Sequence, residues 1–258
     1  MFYEQLNRKI KISIITLFCG WSSVFASADV YQGIRAVIFD CDGVLVDTES
    51  LKYLAWKEAL ANQNIDFSIE EYMPLVGHSS KNILRLIGQM KGLELSDEII
   101  ELKNARYKIL QKQGVLPIQS MVNFARHLSE NRQELGLKLG LASSASKEEI
   151  MANLEQIGLN NAFDLILSGS DDLDDYVDLE GKNKPKPYIY LEASKRLNLS
   201  PKLCLVFEDT TAGITAAADA GMIPIAIPNR FTLNQDFSKA SRILFSHEEL
   251  PSIQVFQQ

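Results

Sequence analysis

Basic clusters are missing from this sequence. No block of five or six lysines and arginines occurs anywhere in its 258 residues, and 26 basic against 33 acidic residues leave a net charge of −7. A chain without a positive stripe has nothing to displace counterions from a phosphate backbone, so no nucleic-acid partner is expected. A small molecule whose charge is met locally is the partner that remains. Long apolar runs are few as well. The one that stands out, Ile12–Phe25, is short for a membrane span, and no second apolar stretch stands behind it. With 23% charged and 46% hydrophobic residues, the composition excludes a disordered or fibrous chain and suffices for a sizeable core.

Cysteine is scarce: Cys19, Cys41 and Cys204 are the three in the chain. Cys41 falls just past the end of one apolar run and Cys204 at the start of another, and the two runs read as neighbouring strands. In parallel neighbours that offset is about five residues, or about 16 Å. A disulfide needs Cα atoms within about 7 Å, so two free thiols are expected even in an oxidising compartment. No histidine lies near Cys41 in sequence, and the residue reads as a small buried filler rather than a nucleophile.

The start of the chain is expected to stand apart from the fold. Arg8, Lys9 and Lys11 precede the apolar run, and Ala26-Ser27-Ala28 follows it. Basic start, apolar middle and small residues at the cut are the layout of a secretory signal cleaved after Ala28. Phe18 before Cys19 disfavours a lipoprotein cut. Export to the periplasm or medium is therefore expected for residues 29–258, with no stable membrane anchor left; a cytoplasmic protein is the alternative. Without the segment the balance is 26 − 3 = 23 basic against 33 − 1 = 32 acidic residues, or −9.

What the rest contains is an alternation of short apolar runs and helical patterns. Ala36–Phe39, Leu137–Ala142, Phe163–Leu167, Leu203–Phe207 and Ile223–Ile227 lack clean alternation, as strands covered on both faces do. Lys147–Ile157, Ile189–Leu197 and Thr211–Ala220 lie between them as helices, with Gly158 and Gly221 where two of these would end. Strand–helix–strand repetition predicts an α/β fold with a doubly wound parallel sheet. One interval breaks the rhythm. From Thr48–Asn62 through Lys81–Met90 to Asp97–Lys112 the apolar spacing is helical throughout. The division expected is a core of residues 29–50 and 117–258 with an all-helical cap inserted at 51–116. The acidic loop Asp171–Glu180 reads as solvated surface, and Trp56 as part of the cap's own core.

Ligands of open α/β sheets bind outside the carboxyl ends of the strands. Asp40-Cys41-Asp42-Gly43 follows the first strand, Ser143 the second, and Glu208-Asp209 the fourth, while Lys184 lies in the connection before it. Carboxylates, a hydroxyl and an ammonium delivered to one edge suit phosphoryl transfer. A dianionic phosphate ester repels an attacking carboxylate unless a cation neutralises it. Mg²⁺, which prefers hard oxygen ligands, can be held by Asp40, Asp209 and the main-chain carbonyl of Asp42. Lys184 would offset the remaining charge and the Ser143 hydroxyl would hold a phosphate oxygen. Asp42 can protonate the leaving oxygen and then deprotonate the hydrolytic water, and Gly43 permits the turn that brings both aspartates to one phosphate.

The string DCDGVLVDTE (Asp40–Glu49) resembles the first motif of the haloacid dehalogenase superfamily. LASS (Leu141–Ser144), KPKP (Lys184–Pro187) and VFEDT (Val206–Thr210) resemble its second, third and fourth, in order. The likeness covers most of Ile34–Ile227 and is strongest to the branch holding β-phosphoglucomutases and sugar-phosphate or phosphoglycolate phosphatases. It implies a Rossmann-like core with a helical cap and aspartyl-phosphate chemistry. It implies Asp40 as nucleophile, Asp42 as acid/base, Ser143 as phosphate ligand, Lys184 as charge stabiliser, Asp209 as a Mg²⁺ ligand and Glu208 as a direct or water-mediated one. Mutases of this branch resemble a pattern with histidine where this chain has Lys52, and a lysine of ordinary pKa is a poor proton shuttle at neutral pH. Hydrolysis of a small phosphorylated metabolite is therefore expected; a sugar-phosphate mutase is the alternative, and an inert phosphate-ligand-binding module the alternative of another class. Ser144, Lys52, His78 and Lys81 are the candidate substrate-binding residues. His127 and His247 read as surface or packing residues.

Overall fold

The structure is a computed structural model and describes residues 30–257. The signal-like segment 1–28 lies outside the described residues. In chain order the strands are β1 (Ala36–Phe39), β2 (Val46–Asp47), β3 (Leu116–Pro117), β4 (Lys138–Ser143), β5 (Leu165–Ser168), β6 (Cys204–Glu208), β7 (Ile223–Ala226) and β8 (Arg242–Ile243). Six of them form one parallel sheet in the order β5-β4-β1-β6-β7-β8. The helices between them are α5 (Gln119–Asn131), α6 (Lys147–Gln156), α7 (Tyr188–Leu197) and α8 (Thr211–Asp219). Those of the cap, ahead of them in sequence, are α1 (Glu49–Ala61), α2 (Ile69–Tyr72), α3 (Ser80–Lys91) and α4 (Glu98–Gln113).

The side chains of β1 show why the sheet is doubly wound. Val37 and Phe39 join the cluster built with Met121, Phe124, Ile150 and Leu154 of α5 and α6. Ala36 and Ile38 point the other way, to Ile189, Ala193 and Leu197 of α7 and Ala216 of α8. Each strand residue is buried whichever way it faces, which is the origin of the unbroken apolar runs. Two of the helices flanking the sheet begin at side-chain caps. Ser146 and Glu149 form a capping box at α6, and the Thr210 hydroxyl accepts the Gly213 N–H at α8.

Helices α1–α4 have a separate core. Trp56, Leu60, Phe67, Tyr72, Ile83 and Ile87 pack together there, so Trp56 is core as the sequence pattern expects. The chain leaves and re-enters the sheet domain through β2 and β3, which pair antiparallel, Val46 with Pro117 and Asp47 with Leu116. A second tie is the pair of hydrogen bonds from Gln111 Nε2 at the end of α4 to Asn153 Oδ1 (2.8 Å) and the Glu149 carbonyl (3.1 Å) on α6.

Three differences from the sequence pattern have physical causes. β2, β3 and β8 are two residues long, too short to show a period. The strand expected at Phe163–Leu167 runs Leu165–Ser168 instead, because Phe163 packs against the Phe39 ring at 6.1 Å before pairing begins. Leu203 belongs to a 3₁₀ turn, Pro201–Leu203, and the strand starts at Cys204. Cys204 pairs in register with Ala36, and Cys41 lies past the other end of β1; both thiols are buried and free.

Candidate active site

Strand register puts four segments at one place. β1 lies between β4 and β6, with Phe39 opposite both Leu141 and Phe207. Asp40, next along the chain, donates its N–H to the Phe207 carbonyl (3.0 Å) and so stands level with Glu208. The chain leaves β1 toward one side of the sheet and later returns on the other, and this switch point is where a parallel sheet opens a crevice. Asp40, Glu208 and Asp209 all lie there, each offering an oxygen within 4.8 Å of the others. Ser143, at the end of β4, is buried beside them in sequence register, and its oxygen accepts the Ala145 N–H (3.2 Å). Ser144, the next residue, is exposed.

Lys184 is the cation of this group. Its ammonium donates to Asp40 Oδ1 (2.8 Å), Glu208 Oε1 (2.6 Å) and the Ala142 carbonyl (3.0 Å). Lys186, the other lysine of KPKP, instead pairs outward with Asp178 and Glu180. Burial pulls against the Lys184 charge, but Asp40 and Glu208 hold its ammonium well above the ordinary lysine range. With all three carboxyls ionised, three carboxylates against one ammonium would leave 3 − 1 = 2 negative charges uncompensated. Burial first, and then the Lys184 and Glu208 charges in opposition, push Asp40 up to about 7. Asp209 is also raised well above the carboxylate range, by burial and then by Glu208 and Asp40.

The oxygens of the two acidic neighbours are not equally engaged. Glu208 Oε1 accepts from Lys184 and from the Tyr190 hydroxyl (2.6 Å), and Oε2 from the Asp209 N–H (3.2 Å) and the Thr210 hydroxyl (3.4 Å). Four donors fill a carboxylate. Asp209 Oδ1, by contrast, is buried and has no hydrogen-bond partner among the described residues; Asp42 Oδ1 is in the same condition. The buried, unpartnered Oδ1 of Asp209, clustered with the carboxylates of Asp40 and Glu208, is the donor set a divalent cation with hard-oxygen preference fits.

Two glycines make the crowding possible. Gly43 has φ +79°, and a Cβ there would fall 2.0 Å from Asp209 Oδ2. A Cβ on Gly213, in the first turn of α8, would fall 1.9 Å from the Glu208 carboxyl carbon.

The cap contributes a second charged group. Lys52, on α1, donates to Asp42 Oδ2 (3.1 Å) and Glu49 Oε1 (2.7 Å). Burial opposes its charge, yet Asp42 and Glu49 hold it well above the ordinary range. The Tyr72 hydroxyl donates to the other oxygen of Glu49 (2.7 Å). Lys103 on α4 lies over the Trp56 and Tyr107 rings, 5.6 Å from each centroid, and is pushed down to about 8 by burial and then by the Lys52 charge.

Of the sequence candidates, the structure brings Asp40, Asp42, Ser143, Lys184, Glu208, Asp209 and Lys52 together. His78 is exposed on the loop after Gly77, which lies against Thr210, and its ring contacts Asn82 (3.0 Å). Lys81 is not brought to the carboxylates. It lines a cap groove of about 670 Å³ with Leu84, Arg85 and Leu93, in which none of the acidic cluster takes part. Glu49, Tyr190, Lys103 and Asn229 were not singled out from the sequence. Glu49 closes the string DCDGVLVDTE, and Asn229 follows β7, a strand whose end carries none of the four motifs.

Comparison with known proteins gives the same frame. The family model described as haloacid dehalogenase-like hydrolase matches residues 34–221. The chain is 32% identical over 200 residues to a β-phosphoglucomutase of Bacillus subtilis, covering 75% of this chain and 83% of that protein. It is 30% identical over 190 residues to a phosphorylated carbohydrates phosphatase of Thermotoga maritima, covering 73% and 82%. Among solved structures, CbbY from Rhodobacter sphaeroides in complex with phosphate superposes with a TM-score of 0.69 at 25% identity, over 86% of this chain and 99% of that one. The chain belongs to the haloacid dehalogenase-like hydrolases.

Proposed function

We propose that this protein is a Mg²⁺-dependent phosphatase that hydrolyses a small phosphorylated metabolite, of sugar-phosphate or phosphoglycolate type, through an aspartyl-phosphate intermediate. The observation that carries the proposal is the Lys184 ammonium seated between Asp40 and Glu208 while Asp209 Oδ1 lies buried without a partner among the described residues. Asp40 attacks phosphorus and the bond to the leaving oxygen breaks. Asp42 gives that oxygen its proton, then takes one from the water that cleaves the aspartyl phosphate. Lys184 and the Ser143 hydroxyl hold the phosphate oxygens. Asp40, Asp209 and the Asp42 carbonyl would hold Mg²⁺, which supplies charge neutralisation for the dianionic phosphate. Glu208, its oxygens already engaged, acts through Lys184 and through water.

Both a mutase and a phosphatase stand at similar identity to this chain, so overall likeness does not separate the two readings. Lys52 favours hydrolysis. An ammonium held protonated by Asp42 and Glu49 cannot take a proton from a sugar hydroxyl and return it. Lys52, held on the cap beside Asp42, brings an ammonium to the rim of the acidic cluster, which suits an anionic or hydroxyl-rich organic part. An inert binding module would need no second aspartate beside the first. Glucose 1-phosphate and phosphoglycolate, each with and without Mg²⁺, provide the test. Inorganic phosphate is expected to appear only with Mg²⁺, and glucose 6-phosphate not at all. Conversion to glucose 6-phosphate would establish the mutase, and absence of turnover across a panel of esters with Mg²⁺ bound would establish the binding module.

We also propose export, on the layout of Arg8–Ala28. Tyr31, the first large side chain of the core, packs edge-on against Phe256 at 5.8 Å and lies beyond the proposed cut. A chain starting at Asp29 is expected to fold and keep its activity. In the native host the protein is expected outside the cytoplasm with Asp29 as its first residue. N-terminal sequencing of a cytoplasmic protein that retains Met1 would refute this.

A further inference from the structure

One side chain grips the acidic cluster from outside the four motifs. Asn229, just past β7, donates from Nδ2 to Asp209 Oδ2 (2.7 Å) and to the Gly43 carbonyl (3.4 Å). The orientation of its amide is set at the other end, where Oδ1 accepts the Phe231 N–H (2.9 Å). The Asn229 N–H in turn donates to the hydroxyl of the fully buried Thr232 (3.0 Å). An amide bonded at both its oxygen and its nitrogen cannot flip without losing hydrogen bonds at both ends.

The consequence falls on Asp209. Its Oδ2 is taken by Asn229, with Gly43 packed against both, and its Oδ1 is the buried oxygen without a partner among the described residues. Free rotation of the carboxyl would exchange the two oxygens; the Asn229 bond prevents it. The same turn is seated in the cap. Phe231 is a buried member of the cap's apolar cluster and meets the Tyr72 ring edge-on at 6.3 Å. Arg230 reaches the Ser50 hydroxyl (2.6 Å) and Asp47 (3.3 Å) at the foot of α1.

We propose that Asn229 is a positioning residue for Asp209, turning Oδ1 toward Mg²⁺, and that the seat of Phe231 in the cap holds Asn229 in place. This rests on the Mg²⁺ reading above. Groups that orient metal ligands are typically worth about 10–100-fold in metal affinity. Asn229→Ala is therefore expected to weaken Mg²⁺ binding by about 10–100-fold in calorimetric titration of the substrate-free protein. The KM for substrate at saturating Mg²⁺ is expected to be unchanged, because Asn229 faces the ligand and not the substrate. Asn229→Ser, whose hydroxyl is too short to reach Asp209, should behave alike and guards against a fold lost in the alanine variant; circular dichroism checks both. If wild type binds Mg²⁺ and both folded variants bind it as tightly, the positioning role is overturned while the functional reading stands. If the variants lose Mg²⁺ affinity only together with a matching rise in KM, the residue is a general support of the site, and the proposal is again overturned. A wild-type protein that binds no Mg²⁺ would overturn both readings at once.

Discussion

Asp40→Asn is expected to block the first chemical step for every phosphate ester, and Asp42→Asn to stop turnover while sparing that first step where the leaving group needs no proton. The two side chains are two residues apart and start from the same turn, yet the proposed chemistry uses them differently. Removing a covalent nucleophile costs on the order of 10⁴–10⁶ in rate. Asparagine at position 40 can still accept from Lys184, and it removes a carboxyl that burial first, and then the Glu208 and Asp42 charges against that of Lys184, push up to about 7. The inactive variant should therefore melt no lower than wild type in the absence of Mg²⁺. Removing a general acid costs about 10²–10⁴. For an alkyl phosphate that loss should appear in full. For p-nitrophenyl phosphate, whose phenolate leaves unaided, the first step should survive in Asp42→Asn while the water step stalls. A stoichiometric burst of nitrophenol with phosphate retained on Asp40 is the expected record, read by rapid-quench kinetics and peptide mass. Near-normal turnover of an alkyl phosphate by Asp42→Asn would show that the roles are assigned wrongly.

Lys184→Met is expected to cost about 3–5 kcal/mol of stability without Mg²⁺, the usual scale for stripping one partner from a buried ion pair. The side chain is 8% exposed and serves Asp40, Glu208 and the Ala142 carbonyl at once. Without it, three buried carboxylates face one another. An exposed pair such as Lys108–Glu148 should contribute less than about 1 kcal/mol by the same measurement. The loss should depend on pH with a definite sign. A carboxyl whose folded pKa lies above its unfolded value binds more protons folded than unfolded, so stability falls as pH rises between the two. For Asp40 that window runs from its ordinary value of 3.8 up to about 7, and it widens upward when Lys184 is gone. Urea denaturation should thus show a smaller deficit near about pH 5 than near about pH 8. Saturating Mg²⁺ should recover part of the deficit, since it binds only the folded carboxylate set. An unchanged denaturation midpoint at neutral pH without Mg²⁺ would mean that Lys184 does not hold the cluster together.

Much of the site was legible because its chemistry sits in short contiguous strings at strand ends. Asp40 and Asp42 share one turn, Glu208 and Asp209 another, and buried parallel strands announce themselves as unbroken apolar runs. Lys52 was legible as a departure, a lysine at a position of known meaning. Residues recruited through side-chain reach alone were not. Lys103 lies fifty-one residues from Lys52 in sequence and meets its field only because α1 and α4 pack together. Tyr72 is an unremarkable aromatic until its hydroxyl is found on Glu49. Lys81, chosen for its place at the opening of α3, faces a groove of the cap instead, because helix rotation rather than sequence position decides what a side chain meets.

The fold class, the inserted helices and the acidic edge follow from local sequence, since period, capping residues and strand-end motifs act over a few residues. Tertiary structure decided how the charges are shared. It made Glu208 a carboxylate already filled by four donors and Asp209 one with a buried oxygen unpartnered among the described residues. It also set Asn229, from beyond the last motif, against Asp209. Electrostatic fields and hydrogen bonds in a buried site depend on distances of a few ångströms between segments far apart in the chain, and those distances exist only once the sheet and the cap have closed around them.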